Sequence, residues 1–357
     1  MAMCTITKRT GKVLVALSGG VDSSVCTHLL QQQGYTVAGV VLKMSPAHDS
    51  VVKAAQESAD TLGIPLHIIN AEAEFADTVI RHFCSEYQNG RTPNPCIVCN
   101  PLIKFRLITE KADEMGFEYT ATGHYADIKR LENGRFAVCK ASCLPRDQSY
   151  MLYRLTQHQL SKLLLPLSHL EKTEVRRIAE EASLPSAKAA DSQENCFIPD
   201  NDYAAYIEAR NGPGKSGYFI SPFGEIVAPH KGILHYTVGQ RKRLGIALGK
   251  PVFIKSIDAK TGNIQLAWGG DEYADGVLLS DMVYQPFEEL PQPIHCRVKI
   301  RSMAKDAPAT LIPLEGGTAK VLFERPLRAP APGQSCVCYN DEGLILGGGF
   351  IEEQIEE

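Results

Sequence analysis

Apolar and polar positions follow two textures along this chain. Up to residue 202, short continuous apolar runs alternate with segments of helical spacing. Val13-Leu14-Val15-Ala16-Leu17 reads as a buried strand, and 21–33 as a helix stopped at Gly34. The same reading predicts strands at 37–42, 66–69 and 119–122, and helices at 51–62, 75–87, 104–115, 149–155 and 173–181. Such alternation implies a parallel sheet with helices on both faces. Beyond residue 202 the helical spacing fades. Strand-like runs stand between Gly and Pro turns at 217–220, 252–257 and 263–267, then at 294–300, 318–323, 335–339 and 344–351. The predicted architecture is α/β: a parallel-sheet domain over 1–202, a small β-rich domain over 203–271 and a terminal β-barrel over 272–357.

Composition fits that division. A chain of 357 residues is too long for one ordinary domain. With 44% hydrophobic and 22% charged residues it is globular in type. No apolar run approaches the ~20 residues of a membrane span, and residues 1–12 are polar, unlike a signal peptide. A cytoplasmic protein without a membrane partner is expected. The net charge of −4 speaks weakly against nucleic acid. Binding depends on local patches, however, and base gathers at Arg241-Lys242-Arg243 and at Arg297, Lys299, Arg301 and Lys305. Solvated surface is the plain reading of such runs.

The strongest chemical motif lies between the first strand and first helix: Ser18-Gly19-Gly20-Val21-Asp22-Ser23-Ser24. Two glycines let the backbone turn tightly. Hydroxyls and a helix N-terminus add donors and a positive dipole end, which together cradle a phosphate. The loop is not a Walker A motif, because Asp22 stands where lysine is expected. Gly214-Lys215-Ser216 is a decoy, since the required earlier glycine is Ala209. The pattern resembles the pyrophosphate-loop ATPases, which split ATP into AMP and pyrophosphate.

Eleven cysteines in a chain without an export signal do not suggest a disulfide framework. Cys26, Cys139, Cys296 and Cys338 sit in apolar stretches and read as small hydrophobes. Two segments differ. Cys96 and Cys99 lie in Asn94-Pro95-Cys96-Ile97-Val98-Cys99-Asn100, where a following helix N-terminus would lower a thiol pKa. Cys196 lies in the polar segment Asp191-Ser192-Gln193-Glu194-Asn195-Cys196-Phe197. A zinc site needs four ligands and one CxxC supplies two; Cys139/Cys143 or Cys336/Cys338 would have to complete it. Thioredoxin-type redox chemistry wants CxxC at a βαβ start. Sulfur transfer needs one thiol to carry sulfur and a second to resolve it.

Those segments occur in order with Thr122-Gly123-His124-Tyr125-Ala126, Asp147-Gln148-Ser149-Tyr150 and Thr237-Val238-Gly239-Gln240-Arg241-Lys242. Pro332-Gly333-Gln334 and Leu346-Gly347-Gly348-Gly349 follow. The ordered set resembles the tRNA-specific 2-thiouridylase family over nearly the whole chain. The resemblance implies an N-terminal adenine-nucleotide-binding domain of the HUP, pyrophosphate-loop type. It implies ATP with Mg2+ as cosubstrate, held by Ala16, Leu17, Ser18, Gly19, Gly20, Val21, Asp22, Ser23, Leu42 and Gly123. Asn94, Pro95 and Cys96 would line the target-base pocket. His124, Arg146, Asp147, Gln148, Arg301, Ser302 and Gln334 would contact tRNA. ATP would adenylate the C2 oxygen of the wobble uridine. Cys196 would carry a persulfide from a cysteine desulfurase or sulfur-relay protein, and Cys99 would be its partner nucleophile. Asp147 could instead merely cap the next helix.

Two departures stand out. Many family members carry aspartate where this chain has Cys96, and lysine where it has Arg146. Cys96, Cys99 and Cys196 then form a set of three, as in related thiolases that hold a [4Fe–4S] cluster. A cluster route is the alternative mechanism. Among enzymes, amide formation or lysidine formation is the rival reading. A catalytically idle tRNA-binding or sulfur-carrier protein is the rival outside enzymes.

Overall fold

The computed structural model describes residues 11–189 and 195–356. Two compact units emerge. The first holds residues up to Thr78 together with Cys96–Pro199; the second holds Val79–Pro95 and Asp200–Glu357. The helical run that begins at residue 72 thus crosses from one unit to the other.

The first unit is built on a parallel sheet. Its elements begin with β1 (Lys12–Ala16), α1 (Val21–Gln32), β2 (Thr36–Lys43), α2 (Asp49–Leu62), β3 (Leu66–Asn70) and α3 (Glu72–Phe75). A π-helical turn, Ala76–Ile80, leads on into α4 (Arg81–Gln88). The chain returns with α5 (Pro95–Cys99), a second π-helical turn at Asn100–Lys104, and α6 (Phe105–Glu114). Then come β4 (Tyr119–Ala121), the hairpin β5 (Ala126–Arg130) and β6 (Phe136–Lys140), α7 (Gln157–Lys162), β7 (Leu163–Leu164) and α8 (Lys172–Glu181).

The sheet runs β3-β2-β1-β4-β7. Every pairing in it is parallel. Val13, Leu14 and Val15 are fully buried, as a central strand covered on both faces requires. β1 lies between β2 and β4, so the strand order reverses there. Open α/β sheets bind ligands in the crevice at the carboxyl ends of such strands. The loop after β1 and the loop after β4 border that crevice.

The second unit opens with α9 (Tyr203–Asn211) and a four-stranded sheet ordered β10-β11-β8-β9. Its strands are β8 (Tyr218–Ile220), β9 (Ile226–Pro229), β10 (Val252–Ile257) and β11 (Ile264–Trp268). A closed barrel follows, ordered β12-β15-β14-β13-β16-β17. It comprises β12 (Tyr273–Tyr284), β13 (Ile294–Lys299), β14 (Ala307–Pro313), β15 (Ala319–Arg328), β16 (Ser335–Tyr339) and β17 (Ile345–Ile355). Val277, Leu279, Val298, Leu311, Val321 and Ile351 fill its interior, with Cys336 and Cys338 as small apolar fillers.

Several sequence expectations need correction. Helical spacing does not end at residue 202, because α9 is capped by Asp202, whose carboxylate accepts from Ala205 N–H at 3.0 Å. The helix expected at 149–155 is only a 3-10 turn, Ser149–Leu152. β5, β6, β7, β9, β12 and β14 were not expected, and neither was α7. Their runs are short or polar on one face, and their pairing partners fix them.

Gly19 shows how tightly the phosphate loop is set. Its φ is +74°, and a Cβ there would lie 2.4 Å from the Ala54 carbonyl carbon in α2. At Gly20 an added Cβ meets only Ser18 Oγ, at 3.4 Å. Gly19→Ala is therefore expected to destabilise the protein by about 2 kcal/mol or more. Gly20→Ala should stay within about 0.5 kcal/mol of wild type. Thermal midpoints of the two variants check the contrast, and equal midpoints would refute it.

Candidate functional site

The phosphate loop organises itself through its serines. Ser18 N–H donates to Ser23 Oγ at 3.1 Å, and Ser23 and Ser24 hydroxyls each donate to the Gly20 carbonyl at 3.0 Å. Ser24 Oγ reaches Ser58 Oγ of α2 at 3.3 Å. Gly20 occupies the N-cap of α1 and no side chain caps the helix. The first-turn N–H groups thus face the crevice undivided, which suits an anion. Ala16 ends β1, and Leu17 and Leu42 are buried beside it.

Gly123 closes the crevice from the β4 side. A Cβ on it would fall 2.7 Å from the Asp22 carbonyl carbon. Only a glycine lets the loop after β4 press on the first turn of α1. The structure therefore brings Gly123 and residues 18–23 together, although they are far apart in sequence.

His124 follows directly. Its Nδ1 lies 2.8 Å from Thr122 Oγ1, and its ring tilts against Phe105 with centroids 5.7 Å apart. Burial, with the Lys104 charge adding to it, lowers its pKa to about 3. The residue as a whole is half-buried. His124 is a neutral imidazole at physiological pH.

Cys96 and Cys99 lie within α5, one turn apart, rather than ahead of a helix. Cys96 is exposed and Cys99 buried, its Sγ 3.9 Å from Met44 Sδ. The expected lowering of the Cys99 pKa does not occur. Burial pushes the thiol up to about 12, outweighing the Lys104 ammonium and a bond from the Lys104 backbone. Cys96 and Cys196 charges push the same way as burial. Cys196 is anchored by its buried neighbours Phe197 and Ile198, with Phe197 edge-on to Phe75 at 5.5 Å. Although Cys196 is exposed, crowding around its sulfur raises its thiol to about 11, with Cys96 adding and Lys104 opposing. Cys96, Cys99, Cys196 and Lys104 thus share one electrostatic neighbourhood. Asp191, Ser192, Gln193 and Glu194 of the same motif lie outside the described residues.

Among the described residues, no group of three or more His, Cys, Asp or Glu side chains stands close enough to hold a metal. The arrangement does not fit a [4Fe–4S] cluster on Cys96, Cys99 and Cys196.

The remaining expected residues play visible structural parts. Asp147 accepts from Ala141 and Ser149 N–H and from the Ser149 hydroxyl, which ties it to the following turn, although Gln148 and not Asp147 is the N-cap there. Gln148 exchanges bonds with the Tyr125 backbone at 2.7 and 3.0 Å. Arg146 is exposed. In the second unit, Arg301 donates to the Val238 and Ala329 carbonyls and Gln334 to the Thr92 carbonyl. Ser302 is half-buried, as is Asn94, while Pro95 is buried. The basic run is thinner than its sequence suggests: Lys299 is buried and Arg297 pairs with Asp306. Arg241, Lys242 and Arg243 remain exposed.

Sequence reasoning missed three residues. Lys104 was hidden at the start of the helix pattern over 104–115. Tyr125 stood inside a quoted motif without a role. Lys172 offered no local cue, yet its Nζ lies 2.8 Å from both carboxylate oxygens of Asp22.

Comparison with known proteins agrees with this layout. Residues 11–200 match the tRNA methyl transferase HUP domain, 206–267 the tRNA methyl transferase PRC-barrel domain, and 275–351 the aminomethyltransferase β-barrel domain. The tRNA-specific 2-thiouridylase MnmA of Acetivibrio thermocellus is 42% identical over 356 residues, spanning 96% of this chain and 99% of the relative. That of Clostridioides difficile is 41% identical, with the same coverage. The U34-tRNA thiolase NcsA of Methanococcus maripaludis with its [4Fe-4S] cluster aligns at TM-score 0.38 and 19% identity. That alignment covers 59% of this chain and 70% of NcsA, too loose a likeness to carry residue roles across. With a phosphate loop at the switch point of a parallel sheet, two thiols in one charge neighbourhood and full-length relatives above 40% identity, the chain belongs to the tRNA-specific 2-thiouridylase family.

Proposed function

We propose that this protein is an ATP-dependent tRNA-uridine 2-sulfurtransferase acting on the wobble uridine. The carrying observation is that Cys99 and Cys196 lie within one electrostatic neighbourhood, with Lys104 acting on both. In this reading residues 16–23, Leu42 and Gly123 hold ATP with Mg2+. Residues 1–202 form the catalytic domain, and 203–271 and 272–357 hold tRNA. Asn94, Pro95 and Cys96 line the base pocket. His124, Arg146, Asp147, Gln148, Arg301, Ser302 and Gln334 serve the tRNA side, several of them by fixing loops.

The chemistry follows from leaving-group needs. The uridine C2 oxygen attacks the α-phosphorus of ATP and pyrophosphate leaves. A flipped base in a single-stranded loop makes that oxygen accessible at a cost of about a few kcal/mol. Cys196 carries a persulfide supplied by a cysteine desulfurase or relay protein in the cytoplasm. The Cys99 thiolate attacks the Cys196 sulfur, forming a Cys99–Cys196 disulfide and expelling hydrosulfide. Hydrosulfide adds at C2, and AMP departs with the former oxygen. Two electrons pass from the thiolate pair to the sulfane sulfur, and an external dithiol must later reduce the disulfide. Neutral His124 can donate or accept a hydrogen bond without adding charge.

Cys99→Ala and Cys196→Ala are each expected to abolish 2-thiouridine formation while ATP binding persists. Mass spectrometry of tRNA nucleosides reads the outcome. Wild-type 2-thiouridine levels in either variant would sink the sulfur-transfer role given to that cysteine.

A thiol titrating near 12 is almost wholly protonated at neutral pH. Alkylation of Cys99 by iodoacetamide should therefore accelerate about tenfold per pH unit from pH 7 to 10, without a plateau. Lys104→Met removes a charge that favours the thiolate, so the rate at each pH should fall further. Peptide mapping of the alkylated protein tests both; a plateau near pH 8 would contradict the burial argument.

A further inference from the structure

Asp22 occupies the place where a phosphate loop commonly has lysine. The fold supplies that lysine from elsewhere. Lys172, the first residue of α8, sets its Nζ 2.8 Å from both Asp22 carboxylate oxygens. Tyr125 donates its hydroxyl to Asp22 Oδ1 at 2.7 Å, and the Lys172 ammonium lies 6.0 Å from the Tyr125 ring centroid. Only 11% of the Lys172 side chain is exposed. Apolar packing holds α8 there, since Val175 and Ala179 share a core with Val21, Val25 and Tyr125.

The placement is electrostatically odd for a merely structural cation. The N-terminal turn of α1 carries a positive dipole end, which disfavours a lysine and favours an anion. Asp22 offsets that cost while the site is empty of phosphate. A half-buried pair of this kind contributes little net stability, because desolvation of the lysine opposes the attraction. A polyphosphate at the α1 N-terminus would bring several negative oxygens beside the same ammonium. The lysine stem is flexible and its ammonium has three donors, so it can leave one Asp22 oxygen for a phosphate oxygen. Tyr125 keeps its hold on Asp22 meanwhile.

We propose that Lys172 is the polyphosphate-binding cation of this site, parked on Asp22 and taken up by the β- and γ-phosphates of ATP and by pyrophosphate. The assignment rests on the ATP-binding reading above and extends it to a residue outside the loop. It predicts discrimination by phosphate number: Lys172 serves ATP and pyrophosphate and is nearly indifferent to AMP.

The test uses the full-length protein with ATP, AMP and inorganic pyrophosphate in calorimetric titrations. Lys172→Gln should weaken ATP and pyrophosphate about tenfold to a hundredfold, the loss of a charge-assisted hydrogen bond, and AMP by less than about threefold. Lys172→Arg should recover most of the difference. Equal weakening of ATP and AMP, or no weakening, would overturn the proposal and leave Lys172 as a structural clamp. Failure of wild-type protein to bind any of the three would instead overturn the ATP site itself. If the Gln variant is too unstable to titrate, wild-type footprinting replaces it. Pyrophosphate should then slow acylation of Lys172 by an amine-reactive ester and AMP should not; equal effects would overturn the proposal.

Discussion

The contact on which the site depends is backbone against backbone. Gly123 presses on the first turn of α1 so closely that a single added carbon would sit 2.7 Å from the Asp22 carbonyl carbon. That approach sets the loop after β4 against the loop after β1, at the point where the sheet order reverses. Everything chemical hangs from the two loops. His124 and Tyr125 follow Gly123 in the chain, and Asp22 is the residue it touches. Phe105 lies against His124, which draws the end of the second π-helical turn, and Lys104 with it, toward the crevice. The loop after β4 thus touches the loop after β1 through Gly123 and the start of α6 through His124.

Charge in the resting site is arranged to keep its reactive groups quiet. Asp22 is engaged by Lys172 and Tyr125, and His124 is neutral. Both thiols are raised above their ordinary range, and burial is the largest cause for each. A protonated thiol is a poor nucleophile, and a protonated pair does not oxidise readily. Lys104 works against burial at both sulfurs and is the group best placed to favour a thiolate once substrate changes the surroundings. It also lowers the pKa of His48 and of His124, so one ammonium acts on four titratable groups.

Much of this was legible in the sequence, and the rest was missing for identifiable reasons. Apolar runs gave β1 and β2 within a residue or two, because buried parallel strands must be continuously apolar, and the edge strand β3 was found although none of its residues is buried. The phosphate loop was visible because glycines and serines beside a strand have few other uses. The barrel was recognised in outline, but β12 and β14 were not separated, since their alternate residues face solvent. Cys99 was misjudged for a different reason. Its segment was taken as a loop before a helix, whereas α5 and the second π-helical turn make it the interior of a helical run. Inside such a run, packing decides the pKa and the terminal dipole does not reach it. Lys172 could not have been found locally. Its partner lies 150 residues away, and only the packing of α8 on α1 unites them.

Cys96 gains meaning from the same electrostatics. The thiol at position 96 raises its neighbours Cys99 and Cys196 only through its own negative charge. An aspartate would be ionised at neutral pH and would oppose both thiolates at all times. A thiol in that place opposes them only in its ionised form. The exchange gives up a proton acceptor but lightens the electrostatic load on two buried or crowded sulfurs. With Lys104 beside them, forming a thiolate at Cys99 then costs less than it would next to a carboxylate. The residue at position 96 thus bears on how readily Cys99 and Cys196 form thiolates.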